Sequence, residues 1–572
     1  LSVVIGKQGT LIEYRCYILG SEKPLHLLSQ SLCRLGLTFF LALTVSACQR
    51  VQSQLPRQAP LPQDLFVQVY LNHASSGEYT EPYRQVTRPG DDLEQQIVDA
   101  IATAQSTVDI AVQELRLPKI AQALVKRHQA GVKVKVILEN TYNRPWSDFT
   151  AAEVAKLPAR ERDRYKEGVK LIDRNGDNQL TPDEIDQWDA IAILRKAQVP
   201  ILDDTADGSK GSGLMHHKFV VIDGRTLIVT SANFTTSDVH GDLTVSQTRG
   251  NANNLLKIED SQLADLFTQE FNIMWGDGPA GKPDSRFGVK KPFRPAQQVK
   301  LGTTSVTVQF SPTSATQPWS QTSNGLIGQT LSTATKTVDL ALFVFSEQSL
   351  ANLLETHHQQ GVQVRGLIDP GFAYRYYSEA LDMLGVALAN KCEYEANNRP
   401  WQSPIATVGI PQLPKGDVLH HKFGVVDGQT VITGSHNWSE AANTHNDETL
   451  LVIDSPMVAA HYEREFGRLY AKAVLGVPLA VQQKIQAQKQ ECPQITQAKE
   501  KNVPTTGELV NLNTATLEEL VTLPGVGPKL AQQIIAARQQ KPFTSLEDFD
   551  RVSGVGPSLL QKLEGRVIFN SF

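Results

Sequence analysis

Cysteine is scarce in this chain: there are five in 572 residues, and two of them, Cys16 and Cys33, fall within the first 47. A dense disulfide framework is excluded, and no Cys or His stands at the spacing of a zinc site. No uninterrupted apolar run reaches the roughly 18 residues that a membrane-spanning helix needs. A surplus of positive charge is also missing, with 55 Lys and Arg against 60 Asp and Glu and a net charge of −5. Without residues 1–47 the balance is 51 basic against 58 acidic side chains. That excludes a sequence-blind basic coat on nucleic acid, so any such contact has to come from local geometry. The stretch Gly276–Lys282 imitates a phosphate-binding loop, but Pro283 stands where a magnesium-binding Ser or Thr is required, which excludes nucleotide binding there. Hydrophobic residues at 41% against 20% charged rule out a mostly disordered chain, and the length suits about four domains at ~150 residues each.

The N-terminal part reads as an export signal. Leu35–Ala47 is an uncharged, mostly apolar run of 13 residues preceded by Lys23 and Arg34, which fits a secretory core better than a membrane span. It ends Val45-Ser46-Ala47-Cys48, which resembles the lipobox of bacterial lipoprotein signals. The resemblance implies that residues 1–47 are removed and Cys48 is lipidated. The expected product is an exported, membrane-anchored lipoprotein facing the periplasm or the cell exterior of a bacterium. Residues 48–64, with Pro56, Pro60 and Pro62, read as a tether. Cys392 and Cys492 remain, as a disulfide or as two separate thiols.

The body is duplicated. Thr107-Val-Asp-Ile-Ala111 matches Thr337-Val-Asp-Leu-Ala341, and Gly131-Val-Lys-Val134 matches Gly361-Val-Gln-Val364, both at an offset of 230. Between them lies a stretch of helical period such as Leu117–Gln129, so each copy reads strand, helix, strand with buried β-branched runs. Asn143–Trp146 recurs as Asn398–Trp401, Glu270-Phe271 as Glu465-Phe466, and His216–Phe219 as His420–Phe423, the last at an offset of 204. Copy one therefore holds 26 additional residues, around 150–190. The expected domains are repeat one at 65–275, a Gly-, Pro- and Lys-rich linker at 276–303, repeat two at 304–470, a Gln- and Lys-rich linker at 471–508, and a C-terminal module at 509–572.

Copy one reads His216-x-Lys218-x4-Asp223-x6-Thr230-Ser231-x-Asn233, and copy two reads His420-x-Lys422-x4-Asp427-x6-Gly434-Ser435-x-Asn437. This resembles the signature of the phospholipase D superfamily, over about residues 65–475. Lys218 and Lys422 can neutralise a phosphodiester without a metal. On a strand, His216 and Lys218 share a face that His217 does not. Ser231, Asn233, Ser435 and Asn437 can orient phosphate oxygens or the lysines, and Asp223 and Asp427 can hold the imidazole tautomers. The resemblance implies one shared site and a phosphohistidine intermediate, with His216 as nucleophile and His420 as acid and base, and no cofactor for catalysis. The family often carries Asn-x-Glu downstream. Copy two has it, ending in Glu448, whereas copy one has Asn251-Ala-Asn253 and lacks the carboxylate.

Two further motifs stand out. Asp173-x-Asn175-x-Asp177-Asn178-Gln179-Leu180-x3-Glu184 fits an EF-hand calcium loop, with ligands at Asp173, Asn175, Asp177, Gln179 and Glu184 and with Asn178 in the usual Gly position. Helical patterns flank it at 160–172 and 183–195. In the tail, residues 510–520 read as a capped helix. They are followed by Gly525-Val526-Gly527-Pro528-Lys529 and Gly554-Val555-Gly556-Pro557, each opening an apolar helix. This resembles a tandem helix-hairpin-helix module of the kind in bacterial competence DNA receptors. Glycines let the backbone approach a phosphate, and the next helix's free N–H groups point at it. Residues 509–572 carry six basic and six acidic side chains.

The expected fold is α/β: two similar phospholipase D-like sandwich units forming one catalytic body, plus a small all-α module. Three functions stay open. One is an exported phosphodiesterase that cleaves DNA; another is a phospholipase D or transphosphatidylase on membrane phospholipid; the third is a surface DNA receptor with a vestigial catalytic body.

Overall fold

The structure is a computed structural model that describes residues 58–572 apart from 280–283, 315, 396, 493, 496–509, 522, 524, 564–566 and 570–572. The expected signal segment and Cys48 lie outside the described residues. Repeat one builds a seven-stranded sheet in the order Val67–Leu71, Asn254–Glu259, Thr226–Thr230, Lys218–Ile222, Thr107–Val112, Lys133–Leu138, Ile201–Asp203. Neighbours are antiparallel up to Thr107–Val112 and parallel from there on. Repeat two repeats this core: Thr304–Phe310, Thr449–Asp454, Thr430–Gly434, Lys422–Val426, Thr337–Leu342, Gln363–Ile368, Val408–Ile410, with Gln297–Leu301 and Val474–Leu475 added at its edges.

The central strands are apolar on both faces because both faces are covered. Phe219 and Val221 point into a core shared with repeat two, while Val220 and Ile222 point to an outer core under helices Leu93–Ala102 and Pro118–Gln129. The shared core holds helices Ser261–Trp275 and Pro456–Tyr470, which bring Phe267, Phe271, Tyr462 and Phe466 between the sheets. Asp260 and Ser455 cap these two helices on Leu263 N–H and Val458 N–H. The repeats are thus joined by a core and not by a hinge.

Three segments expected to be passive are packed onto this body. In the tether, Asp64 accepts hydrogen bonds from Thr304 and Ser455, and Pro62 and Ala59 carbonyls face His461 and Arg464. In the inter-repeat linker, the Lys291 side chain is fully buried between Glu270 and Asp447, and Arg294 reaches Glu270 at 2.7 Å. Gly and Pro had signalled a linker there, but the two buried carboxylates require those cations. In the second linker, helix Leu479–Glu491 rests Val481 on Leu381 and Leu388, and Cys392 and Cys492 form a disulfide with Cα atoms 5.4 Å apart.

The insertion in repeat one forms helices Ala151–Lys156, Ala159–Ile172, Pro182–Trp188 and Ala190–Lys196. The expected single helix over 183–195 is broken at Asp189, whose carboxylate accepts from Ser147 N and Oγ at 3.0 Å. The C-terminal module has its own core, including Leu512, Leu520, Ala531, Ile534, Phe543, Phe549 and Leu563. It is not purely helical: Val510–Asn511 pairs with Val567–Ile568. The helix expected from 510 starts only at Leu517, after a box in which Thr516 and Glu519 cap each other.

Asp223 and Asp427 do not touch the imidazoles. Each follows the strand that carries its lysine, with φ of 52°, and turns its carboxylate to the start of a neighbouring strand. Asp223 accepts from the N–H groups of Gln105, Ser106 and Thr107 at 2.7–2.8 Å. Asp427 accepts from those of Thr335, Lys336 and Thr337 at 2.8 Å. The motif spacing x4 spans one whole strand, so the Asp ends at the edge opposite the His. These bonds hold the Asp427 carboxyl down at about 2, against an ordinary 3.8. Its stabilisation is therefore present above pH ~4 and fades as pH falls toward 2. Asp223→Ala and Asp427→Ala should each cost about 1 kcal/mol, as when a side chain capping free N–H groups is truncated. In urea titrations the midpoint should fall while kcat of the folded protein holds.

Candidate active site

The two His–Lys motifs meet at a seam between the repeats. His216 N–H donates to the Asp447 carbonyl at 2.9 Å, and His420 N–H donates to the Ala252 carbonyl at 3.1 Å. Leu214–Met215 pairs in parallel with Asn446–Asp447, and Leu419 bridges to Ala252. Each histidine therefore enters the site on a backbone ladder made with the other repeat.

Side chains cross the seam in the same way. His216 Nδ1 lies 2.6 Å from Glu448 Oε2, and His420 Nδ1 lies 3.0 Å from Asn253 Oδ1. Asn253 spends its Nδ2 on the Asp238 and Asn251 carbonyls, so its oxygen accepts and His420 carries its proton on Nδ1. The Nε2 atoms are left to face the opening, where His216 and His420 are 6% and 7% exposed. The position expected to lack an orienting group is thus filled by an amide.

The serines do not aim at phosphate. Ser435 Oγ donates to Glu448 and Ser231 Oγ to Asn253, both at 2.7 Å, so they fix the two orienting side chains. Asn233 and Asn437 each keep a buried side-chain oxygen without a partner, an acceptor that suits a lysine ammonium and not an anion. Lys218 Nζ donates to the His216 carbonyl at 2.9 Å, with Gln113 Oε1 at 3.4 Å. Lys422 Nζ donates to the His420 carbonyl at 2.6 Å and stands 4.8 Å from the centre of the Phe343 ring. Gln113 and Phe343, one residue after the strands Thr107–Val112 and Thr337–Leu342, went unrecognised in the sequence because they differ between copies.

Behind the site, His217 and His421 point away, as strand alternation requires. His217 bonds Thr449 at 2.8 Å and Glu270 at 3.3 Å, and His421 bonds Asn254 at 3.1 Å and Glu465 at 3.2 Å. Lys291 and Arg294 hold the Glu270 carboxyl well below its usual range, and Arg468 does the same for Glu465. A His-His pair beside a repeated Glu-Phe was the signal for this anchor.

Burial dominates the electrostatics. It pushes Lys218 down to about 8 and, with the Lys218 charge beside it, Lys422 to about 7. Burial and then both lysines hold His216 and His420 well below 6.5. Burial also raises Glu448. Two imidazoles and two ammonium groups that repel one another's protons around one opening form a site shaped for an anion.

In the expected calcium loop, Asn178 has φ of 62° and Gly176 has φ of 77°, the left-handed turn that positions 4 to 6 need. Asp173 accepts from Gly176 and Asn178 N–H, and Asn175 from Asp177 N–H. Asp177 accepts from Gln179 N–H, and Glu184 from Arg174, Asn175 and Thr181. Among the described residues no three His, Cys, Asp or Glu side chains converge as a metal-holding group.

In the tail, Gly525 and Gly554 have φ of 86° and 97°. A side chain at Gly525 would meet Leu559 of the second hairpin at 2.9 Å. Gly527 caps helix Pro528–Gln540, and the Gly556 carbonyl accepts from Leu559 and Leu560. Val526 is buried and Val555 packs on the same core. Lys529 and Lys562 are exposed. Arg538 is taken up by the Leu512 carbonyl at 3.0 Å, and Lys541 lies 3.7 Å from Asp548.

Fold and site together define a duplicated α/β protein with a single pseudo-symmetric His–Lys centre. The family described as "Cardiolipin synthase, PLD-like domain" matches residues 97–275 and 327–470, more than half of the chain, and the "Helix-hairpin-helix motif" matches 505–568. The chain belongs to the phospholipase D-like family of cardiolipin synthase type. It is similar to the mitochondrial cardiolipin hydrolase of Xenopus laevis, with 32% identity over 137 residues, 24% of this chain and 56% of that protein. The chain thus spans little more than half the length of that relative. It is also similar to ComE operon protein 1 of Bacillus subtilis (strain 168), with 47% identity over 62 residues, 11% of this chain and 30% of that protein. The solved phosphatidylserine synthase of Haemophilus influenzae Rd KW20 aligns over 79% of this chain and 97% of that one, with 14% identity and a TM-score of 0.44.

The lysine environment sets a pH dependence. An anion needs charged lysines, and Lys422 loses its proton near pH 7 and Lys218 near 8 in the empty site. Burial and both lysines keep the imidazoles of the empty site neutral below their ordinary range. For hydrolysis of bis(p-nitrophenyl) phosphate, kcat/KM should fall about tenfold per pH unit between ~7 and ~8, more steeply above ~8, and hold as pH falls through 6.5. A rise with pH across 6 to 8 would mean that a normal histidine controls binding.

Proposed function

We propose that this chain is an exported phosphodiesterase that hydrolyses DNA through a phosphohistidine. The observation that carries the reading is the crossed pair of bonds, His216 to Glu448 and His420 to Asn253, which leaves two Nε2 atoms and two lysines around one opening. Lys218 and Lys422 neutralise the phosphate. The His216 Nε2 lone pair attacks phosphorus; a P–N bond forms, the bond to the leaving oxygen breaks, and His420 gives that oxygen its Nε2 proton from the doubly protonated form, which the bound phosphate favours over the neutral form of the empty site. His420, now neutral, takes a proton from water, the water oxygen bonds phosphorus, and the P–N bond breaks. The products are an alcohol and a phosphomonoester, and His420 ends protonated. His216 is the nucleophile because its Nδ1 faces a carboxylate at 2.6 Å, which offsets the positive charge an imidazole gains on phosphorylation; His420 has a neutral amide as its nearest partner.

The tail supports DNA over other phosphodiesters. Two Gly-Val-Gly loops with left-handed first glycines each lead into a helix start of the kind that suits a phosphate, and Lys529 and Lys562 are exposed. The Cys392–Cys492 disulfide suits an oxidising compartment. Together with the apolar segment before Cys48, it supports export and lipid anchoring. A second reading, phospholipid hydrolysis, is favoured by the similarity to a cardiolipin hydrolase. The decisive assay offers plasmid, single-stranded DNA, and vesicles of phosphatidylcholine and cardiolipin in EDTA. DNA breakdown should persist, fall by about 10³-fold or more in His216→Ala, and need the tail for tight capture. Deleting residues 505–572 should spare hydrolysis of bis(p-nitrophenyl) phosphate. Lipid headgroup release without DNA cleavage would establish the second reading.

We also propose calcium at the 173–184 loop. Binding requires Asp173, Asp177 and Glu184 to exchange their backbone N–H partners for the ion. Calcium should raise the melting temperature of the wild type by a few degrees and leave Asp173→Ala unmoved, with no effect on turnover; equal shifts in both would exclude the loop.

A further inference from the structure

The two halves orient their histidines unequally, and the imbalance has a second component. Asp238 Oδ1 lies 3.5 Å from His420 Nδ1, with the Asp238 side chain only 6% exposed. Asp238 sits on the short helix Thr236–Val239, whose cap Thr235 accepts the Asp238 N–H at 3.2 Å. In repeat two the corresponding helix is Glu440–Thr444, and its cap Ser439 accepts the N–H of Ala442 at 3.2 Å. Asp238 and Ala442 therefore occupy the same place, just as Asn253 and Glu448 do. Repeat one has an acid where repeat two has Ala, and an amide where repeat two has an acid.

We infer that Asp238 is the positioning carboxylate of His420, supplying from the short helix the charge that Asn253 lacks. The inference rests on His420 being the acid and base of the reaction. Asp238 is held for that task on both sides: Oδ2 accepts Asn233 N–H at 3.0 Å, and Oδ1 accepts Asn251 Nδ2 at 2.7 Å. Its backbone carbonyl takes Asn253 Nδ2 at 2.9 Å, which turns the Asn253 oxygen toward His420. One residue thus sets both Nδ1 acceptors: the amide by its carbonyl, and the charge by its carboxylate. A proton on His420 then lies between Asn253 and Asp238, and the imidazolium that forms when water is deprotonated is stabilised. Each repeat still sends one carboxylate to the other's histidine, but from non-equivalent positions, Glu448 to His216 and Asp238 to His420.

The test separates the two chemical steps, using bis(p-nitrophenyl) phosphate, whose first leaving group departs without needing a proton. In Asp238→Asn the pre-steady-state burst of p-nitrophenolate should keep its rate, while steady-state turnover drops about 10–100-fold, the range for losing a group that orients a reacting imidazole. Phosphorylated protein should accumulate accordingly. The double variant Asp238→Ala with Asn253→Glu, which copies the repeat-two arrangement, should recover turnover at least tenfold over Asp238→Ala alone. Burst and turnover falling together, or neither falling, would overturn the inference, as would failure of the double variant to recover if it folds and bursts normally. His216→Ala is the separate control: a burst that survives it removes the reading of the site itself, whatever Asp238 does.

Discussion

The centre of this protein depends on hydrogen bonds that leave one repeat and end in the other. A histidine that is to react through Nε2 needs its ring fixed through Nδ1, and in neither repeat does the fixing group come from the same half. Glu448 turns His216 and Asn253 turns His420. Neither half is chemically complete, so the shared core of Phe219, Phe267, Phe423 and Tyr462 supports the chemistry as well as stability. A rigid seam is what the geometry demands, since a ring displaced by an ångström loses its alignment with phosphorus.

The seam carries an unusual load of buried charge. Glu270 with Lys291 and Arg294, Glu465 with Arg468, and Asp447 with Lys291 lie behind the reacting groups. Each buried carboxylate is matched by a cation or an imidazole, as burial requires. The consequence is that segments with linker composition are structural. The stretch between the repeats supplies Lys291 and Arg294, and the N-terminal stretch supplies Asp64. Gly and Pro content describes how the backbone bends there and does not report where a lysine side chain is anchored.

Symmetry between the repeats is close in the backbone and broken at the centre. Lys218 has Gln113 beside it and Lys422 has Phe343; His216 has a carboxylate and His420 an amide with a carboxylate behind it. Burial depresses both lysines, so the empty centre holds its protons weakly and gains most from an anion. A duplicated frame allows such division of labour, because one copy's side chains can change while the other copy's geometry keeps the site assembled.

The two repeats, the strand-helix-strand order and the paired His and Lys residues were legible in the sequence, because burial on both sheet faces imposes apolar runs and a repeated motif marks itself. The tail's paired glycine loops were legible for a similar reason, since left-handed turns call for glycine. What the sequence could not carry was which side chain of one repeat bonds which side chain of the other. It assigned Asp223 and Asp427 to the imidazoles because they stand near them in the motif, yet a strand of five residues carries each to the opposite edge of the sheet. It marked Asn253 as a missing acid, whereas folding makes it an acceptor for the other repeat's histidine and sets Asp238 beside it. Spacing along the chain records which face of a strand a residue occupies; only the packing of one repeat against the other decides which groups share a proton.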